Sequence, residues 1–235
     1  MKYRYREPHE LKESDIEWIG KIPKGWEVKK FSRVFKESSG NGFPDRLQGR
    51  ETGAIPFFKV SDINLNENYV SDANNYVEEE DITENNWKII SENSILLPKI
   101  GEALKKNHRK INKVRCLIDN NMLALSPKFG VVEYFLYLLK IVDMDWFSNP
   151  STVPTINIQN LKNSLTLLPD FNSQSLIASF LDKKCAEFDG IIEKKEAIIS
   201  KLEEAKKSLI SEVVTGKVKI ENGKFTFKGT IDVPE

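Results

Sequence analysis

The sequence predicts an α+β (mixed α/β) globular domain followed by one long α-helix, and three observations carry that expectation. Short apolar runs rich in strand formers recur through roughly the first 170 residues. One longer stretch, Val132 to Val142, is apolar on most sides, as a buried helix is. After Pro169 proline vanishes as far as Thr215, and Lys, Glu, Ala, Leu and Ile take over.

The elements follow in chain order. Trp18 and Trp26 are expected to pack the N-terminal segment against the domain. Ser38-Ser-Gly-Asn-Gly-Phe-Pro44 reads as a loop by composition. Ala54-Ile-Pro-Phe-Phe-Lys-Val60 and Ser94-Ile-Leu-Leu-Pro-Lys-Ile100, the latter closed by Gly101, read as strands. A third strand is expected within Val114 to Ser126, around Cys116-Leu-Ile118 and Met122-Leu-Ala-Leu125. Ser148-Asn-Pro-Ser-Thr-Val-Pro154 is a second loop.

In the long helix Leu181, Phe188, Leu202 and Leu209 share a seven-residue frame, interrupted by Lys195. Ile177, Ile191, Ile198 and Ala205 lie four residues behind it, with Lys184 the exception, and Ile192, Ile199 and Val213 widen the stripe. At 1.5 Å per residue the helix reaches roughly 60 Å, more than its own domain needs. Ten or so apolar side chains at about 1.5–3 kcal/mol each would stay wet unless another helix covered them. Beyond it, Lys217 to Lys228 reads as a β-hairpin about Asn222-Gly223, pairing Ile220 with Phe225 and Val218 with Phe227. The expected organisation is therefore a domain over 1–170, a helical region over 171–216 and a tail over 217–235.

Composition narrows the function. At 235 residues, 40% hydrophobic and 30% charged, the chain is globular rather than disordered. It has no run of about 18 apolar residues for a membrane span, and Met1 to His9 lacks the apolar core of a signal peptide. Cys116 and Cys185 are its two cysteines, which fits a reducing cytoplasm and no disulfide scaffold. Thirty-five bases against thirty-five acids speak against nucleic-acid binding through bulk basicity. The charge is segregated, however. From Asp62 to Glu92 nine acids face Lys88 alone, and from Lys99 to Arg115 seven bases face only Glu102. Such a pair of stripes orients a polyanion while keeping non-specific binding weak; two solvated loops are the plainer alternative.

No catalytic constellation stands out. Phe35-Lys-Glu-Ser-Ser-Gly-Asn-Gly42 lacks the strand–turn–helix setting of a methyltransferase cofactor loop, and Asn149-Pro150-Ser151-Thr152 lacks its second proline and aromatic. Nuclease-like acids at Asp170, Asp182 and Glu193 fall at or on the long helix, where ordinary surface charge explains them. There is no phosphate-binding GxxxxGK[ST] loop, and His9 and His108 have no metal-ligand spacing.

Four stretches in order resemble the specificity subunit of Type I restriction-modification systems. They are Glu17-Trp-Ile-Gly-Lys-Ile-Pro-Lys-Gly-Trp-Glu-Val-Lys-Lys30; Ile55-Pro-Phe-Phe-Lys-Val-Ser-Asp-Ile63 with Ser94-Ile-Leu-Leu-Pro-Lys-Ile-Gly101; Val153-Pro-Thr-Ile-Asn-Ile-Gln-Asn-Leu161; and Pro169 through Phe188 into the long helix. Family members usually carry Pro-Pro and Glu-Gln before that helix, where this chain has Pro169-Asp-Phe-Asn-Ser-Gln174. A full subunit of that family has two target-recognition domains and two helical spacers, and this chain resembles one half. The resemblance implies a non-catalytic reader of double-stranded DNA. It pairs with itself or with another half-subunit through an intermolecular antiparallel coiled coil and reads a bipartite, palindromic target. It further implies a DNA adenine methyltransferase and a restriction/translocase subunit as partners, with S-adenosylmethionine, ATP and magnesium bound only there.

On that basis Lys99, Lys105, Lys106, Arg109 and Lys110, with His108, are candidate phosphate contacts, a solvated basic loop being the alternative. Arg46, Gln48 and Arg50 are candidate readers of base edges. Thr152, Thr155 and Asn157 contact bases or cap turns, and Lys59 and Ser61 flank a strand end. Ile177, Leu181, Phe188, Ile191, Ile192, Ile198, Ile199, Leu202, Leu209 and Val213 are assigned to the dimer or methyltransferase interface. Two other functions compete: a coiled-coil adaptor or restriction antagonist that binds the methyltransferase without reading DNA, and a stand-alone metal-dependent nuclease.

Overall fold

The computed structural model describes residues 4–63, 68–149, 153–218 and 220. The chain forms two compact units, Met1–Ser179 and Phe180–Glu235. The first is a mixed α/β unit, as expected.

Its centre is a five-stranded sheet, in spatial order Phe35–Ser39, Met122–Pro127, Ile95–Pro98, Lys110–Asn112 and Tyr69–Val70. The first three junctions are antiparallel and the last is parallel. Ile95, Leu96, Leu97 and Pro98 are all buried because both faces of this sheet are covered. Ile95 and Leu97 enter one cluster with Ile111, Leu123 and Leu125; Leu96 enters another with Met122, Ala124 and Ile118. Alternate residues of one strand thus serve two cores, as the two-residue period requires. Helix Val132–Ile141 covers the first face, burying Tyr134, Phe135, Leu136, Leu138 and Leu139.

A second sheet orders Leu117–Ile118, Ile55–Phe58 and Tyr76–Val77. Ile55, Phe57, Val77 and Leu117 line its own cluster with Leu47 and Ile82. The single strand expected in Val114 to Ser126 is therefore two, in different sheets, divided by a turn at Asp119–Asn121. The loop expected at 38–44 begins later, since Ser38 and Ser39 pair with Ala124 and Leu123. Ser148–Asn149 likewise pairs with Thr155–Ile156. Trp26 packs on the first core and Trp18 meets Trp146 at 5.6 Å between ring centroids, so both tie the N-terminal segment to the domain, as expected.

Helix Phe171–Val214 runs 44 residues, about 65 Å at 1.5 Å per residue. At its start, residues of Pro169–Gln174 close the helix themselves. Asp170 caps the helix, Oδ1 accepting from the Ser173 N–H at 2.9 Å and Oδ2 from the Ser173 hydroxyl at 2.7 Å. Gln174 is buried; its amide donates to Pro169 O at 2.8 Å and accepts from Val131 N–H at 2.9 Å. Ala178 is buried and Ile177 packs on the first core, so these two turns belong to the α/β unit. In the second unit Phe188, Ile191, Ile192, Ile199 and Leu202 are exposed, with Ile210 and Val214 beyond. The segment expected to form the hairpin lies outside the described residues except at 217, 218 and 220. No described helix is long and apolar enough to cross a membrane.

Candidate nucleic-acid interface

Strand ends gather much of the predicted polar set. The turn after Ile118 donates Asp119 N–H to Phe58 O at 3.0 Å, and Asn41 N–H donates to Ile118 O at 2.8 Å. Lys99 N–H donates to Asn121 O at 2.8 Å, and Ile156 N–H to Lys99 O at 3.0 Å. Gly40 makes this approach possible: a Cβ there would lie 1.8 Å from Asp119 O. Asn41, Lys99, Asp119 and Asn121 are thereby tied to one hydrogen-bonded platform, with Lys59 next to Phe58 and Thr155 bridged to Ile100. Lys59 reaches Gln48 Oε1 at 3.3 Å and lies 4.8 Å from the Phe43 ring centroid. Ser61 is exposed on the adjoining turn, where Asp62 Oδ2 accepts Lys59 N–H at 2.7 Å.

Charge on the platform is only partly satisfied. Burial pushes the Asp119 carboxyl above its ordinary value, against the Asn121 hydrogen bonds and the fields of Lys59 and Lys99. Burial likewise lowers Lys99, against Asp119. The Asn41 side-chain nitrogen is buried without a partner among the described residues.

Other predicted contacts fall elsewhere. Arg46 and Arg50 both point at Asp81, at 3.4 and 2.8 Å, and Arg46 also meets Glu84 at 3.5 Å. Asp81 is a structural anchor: it caps helix Glu79–Glu84 by accepting the Glu78 N–H at 3.0 Å. The acidic run is thus an ordered helix beside the two arginines, not a solvated loop. Lys105 and Lys106 are exposed, Lys105 pairing with Glu102 at 3.1 Å.

Arg109 and Lys110 must be withdrawn as phosphate contacts. They are only 4% and 2% exposed. Arg109 donates to Val142 O at 3.0 Å, and Asn107, at φ +58°, donates to Lys140 O at 2.9 Å. Both side chains satisfy carbonyls at the end of helix Val132–Ile141. Burial pushes Arg109 down to about 10, with Asp143 acting against it. His108 is lowered by burial and then by Lys106, Lys110 and Arg109, which favours its neutral form.

Asn157 is a helix cap, its Oδ1 accepting from Asn160 N–H at 3.0 Å and its amide donating to Asn149 at 3.1 Å. Of the two roles expected for it, the capping one is what the hydrogen bonds describe. Thr152 lies outside the described residues. Ile177 also leaves its predicted group, because its side chain packs on its own unit. Leu181, Ile198, Leu209 and Val213 are half-buried. Sequence reasoning missed Asp119, Asn121 and Asn41; the Asp-Asn-Asn run between two apolar segments was a turn signal that would have found the first two.

The sequence pattern of the Type I restriction modification DNA specificity domain matches residues 23–204. The Type I restriction enzyme MjaIX specificity subunit of Methanocaldococcus jannaschii is 26% identical over 204 residues, covering 85% of this chain and 46% of that protein. Among solved structures, one concerning complex assembly and conformational transition of the type I R-M system aligns with a TM-score of 0.66 at 16% identity. It covers 81% of this chain and 46% of that one. The HsdS subunit from Thermoanaerobacter tengcongensis aligns with a TM-score of 0.55 at 17% identity, covering 72% and 39%. These likenesses establish a shared fold, and the chain spans under half the length of each relative. By the extent of the match over residues 23–204, the chain belongs to the Type I restriction modification DNA specificity domain family.

Proposed function

We propose that this chain is a DNA-recognition subunit of a Type I restriction-modification complex, working in the cytoplasm and performing no chemistry itself. Residues 1–170 form the reader, 171–216 the helical spacer and 217–235 a tail. Two copies, or this chain and a different half-subunit, pack their long helices antiparallel and place one reader at each end. Identical halves then read an interrupted palindrome whose gap is set by helix length. The seam that pairs them includes Leu181, Phe188, Ile191, Ile192, Ile198, Ile199, Leu202, Leu209 and Val213. The assembly positions a DNA adenine methyltransferase and a restriction/translocase subunit, which carry S-adenosylmethionine, ATP and magnesium.

The match over residues 23–204, which takes in both the strand-end platform and most of the long helix, carries this reading. Lys105 and Lys106 supply phosphate contacts, with Lys59, Lys99, Gln48, Ser61 and Thr155 nearer the bases. Arg46 and Arg50 reach DNA only by exchanging Asp81 and Glu84 for it.

Selection of duplexes from a randomised pool by the chain assembled with its methyltransferase tests the proposal. The expected result is an enriched, interrupted motif absent with methyltransferase alone. An assembled complex that enriches nothing is the result the adaptor reading predicts.

A further inference from the structure

We propose that Asp119, with Lys59 and Lys99, reads one C·G base pair in the major groove. The Asp119 carboxylate accepts from the cytosine N4 amine, and a neighbouring lysine donates to O6 and N7 of the paired guanine. This assignment rests on the DNA-recognition reading above and names a specificity-determining residue within it.

Four observations lead there. The platform is stiff, because hydrogen-bonded backbone at Asn41, Phe58, Lys99 and Asn121 surrounds the Asp119 turn. Asp119 and Lys99 are both partly desolvated, yet no ion pair joins Asp119 to either lysine among the described residues; Lys59 is engaged with Gln48 at 3.3 Å. The carboxylate keeps acceptor capacity, since Asn121 occupies it with its N–H, 2.7 Å from Oδ1, and with its side-chain amide, and a carboxylate has about four acceptor sites. Finally, one acid among lysines matches the C·G edge, which sets an amine donor beside two acceptors. An adenine edge fits worse: its amine adjoins the N7 acceptor, which a carboxylate repels.

Asp119→Asn keeps the turn, because the amide oxygen still accepts the Asn121 N–H, but puts a donor where cytosine also donates. Duplex selection from a randomised pool is run with the full-length chain and its methyltransferase. Asp119→Asn is expected to lose roughly 10-fold or more of the preference at one C·G position per half-site and leave the others intact. Lys99→Ala also weakens preference there and lowers affinity overall.

Wild-type protein gives a second readout independent of any folding defect. In the selected duplex, cytosines outside the methylated site are replaced one at a time by pyrimidin-2-one, which lacks the amine. One replacement per half-site should weaken wild-type binding by roughly 10-fold or more, and that same position should be the one Asp119→Asn relaxes. A wild-type motif with no amine-sensitive cytosine, or an Asp119→Asn motif identical to wild type, overturns the assignment. No wild-type motif at all would instead remove the DNA-recognition reading and the inference with it.

Discussion

Buried polar residues separate structural roles from surface roles in ways that charge alone does not. Arg109 sits in a run of cations, and its number in the sequence gives no hint that its guanidinium closes a helix end. Lys110, two residues from Asn112, is buried within strand Lys110–Asn112. Arg109→Ala is expected to destabilise the chain by about 1–3 kcal/mol through the stranded Val142 carbonyl, measured by urea unfolding. The salt slope of DNA binding should stay as in wild type, whereas Lys105→Ala with Lys106→Ala should flatten it by about 2. The two cysteines divide similarly. Cys116 is fully buried and its thiol is pushed up to about 12, while Cys185 is half-buried on the long helix. Native protein should therefore take up one maleimide, at Cys185, and a second only on unfolding; prompt double labelling would contradict the buried position.

Individual elements were legible where periodicity was strong. The runs at 54–60 and 94–100 became strands, Val132–Ile141 became a buried helix, and the long helix began within a residue of its expected start. What escaped was short-range hydrogen bonding that a lone sequence does not rank: the split at Asp119, the helix under Glu79–Glu84 and the junction at Gln174. At that junction Gly130 has φ +91°, and a Cβ there would lie 2.5 Å from Gln174 Oε1 and 2.9 Å from Phe135. Gly130→Ala should cost about 1–3 kcal/mol by backbone strain, read as a lower melting temperature. Asp170 contributes through pH. Its carboxyl is held below the ordinary value by the Ser173 hydroxyl and N–H. Its stabilisation is thus present above the unfolded-state pKa and lost as pH falls through the lowered folded-state value. Asp170→Asn, which can still accept from Ser173, should lose the acid dependence and keep most of the cap.

For the whole molecule, neutrality conceals a division of labour. Eleven acids balance eleven bases over residues 171–235, eight acids face seven bases within the long helix, and the bases of 99–115 are partly spent inside the fold. On the proposed function, the isolated chain is expected to bind DNA weakly and to gain affinity when two readers act together. Pairing through the seam is testable directly. Ile199 and Leu202, 55% and 48% exposed, should both matter: replacing each by Glu should raise the dissociation constant of a self-associated form roughly 100-fold. Sedimentation across concentrations reads this, and unit-one melting should not change. One strand-rich unit followed by one long helix was legible in the sequence. Which polar side chains share the platform was not, because that depends on strand ends brought together from residues 41 to 156. The most direct measurement is the adenine methylome of cells carrying the methyltransferase with and without this chain. An interrupted, two-part methylated motif that appears only with the chain is expected; methylation that ignores its presence would contradict the proposed function.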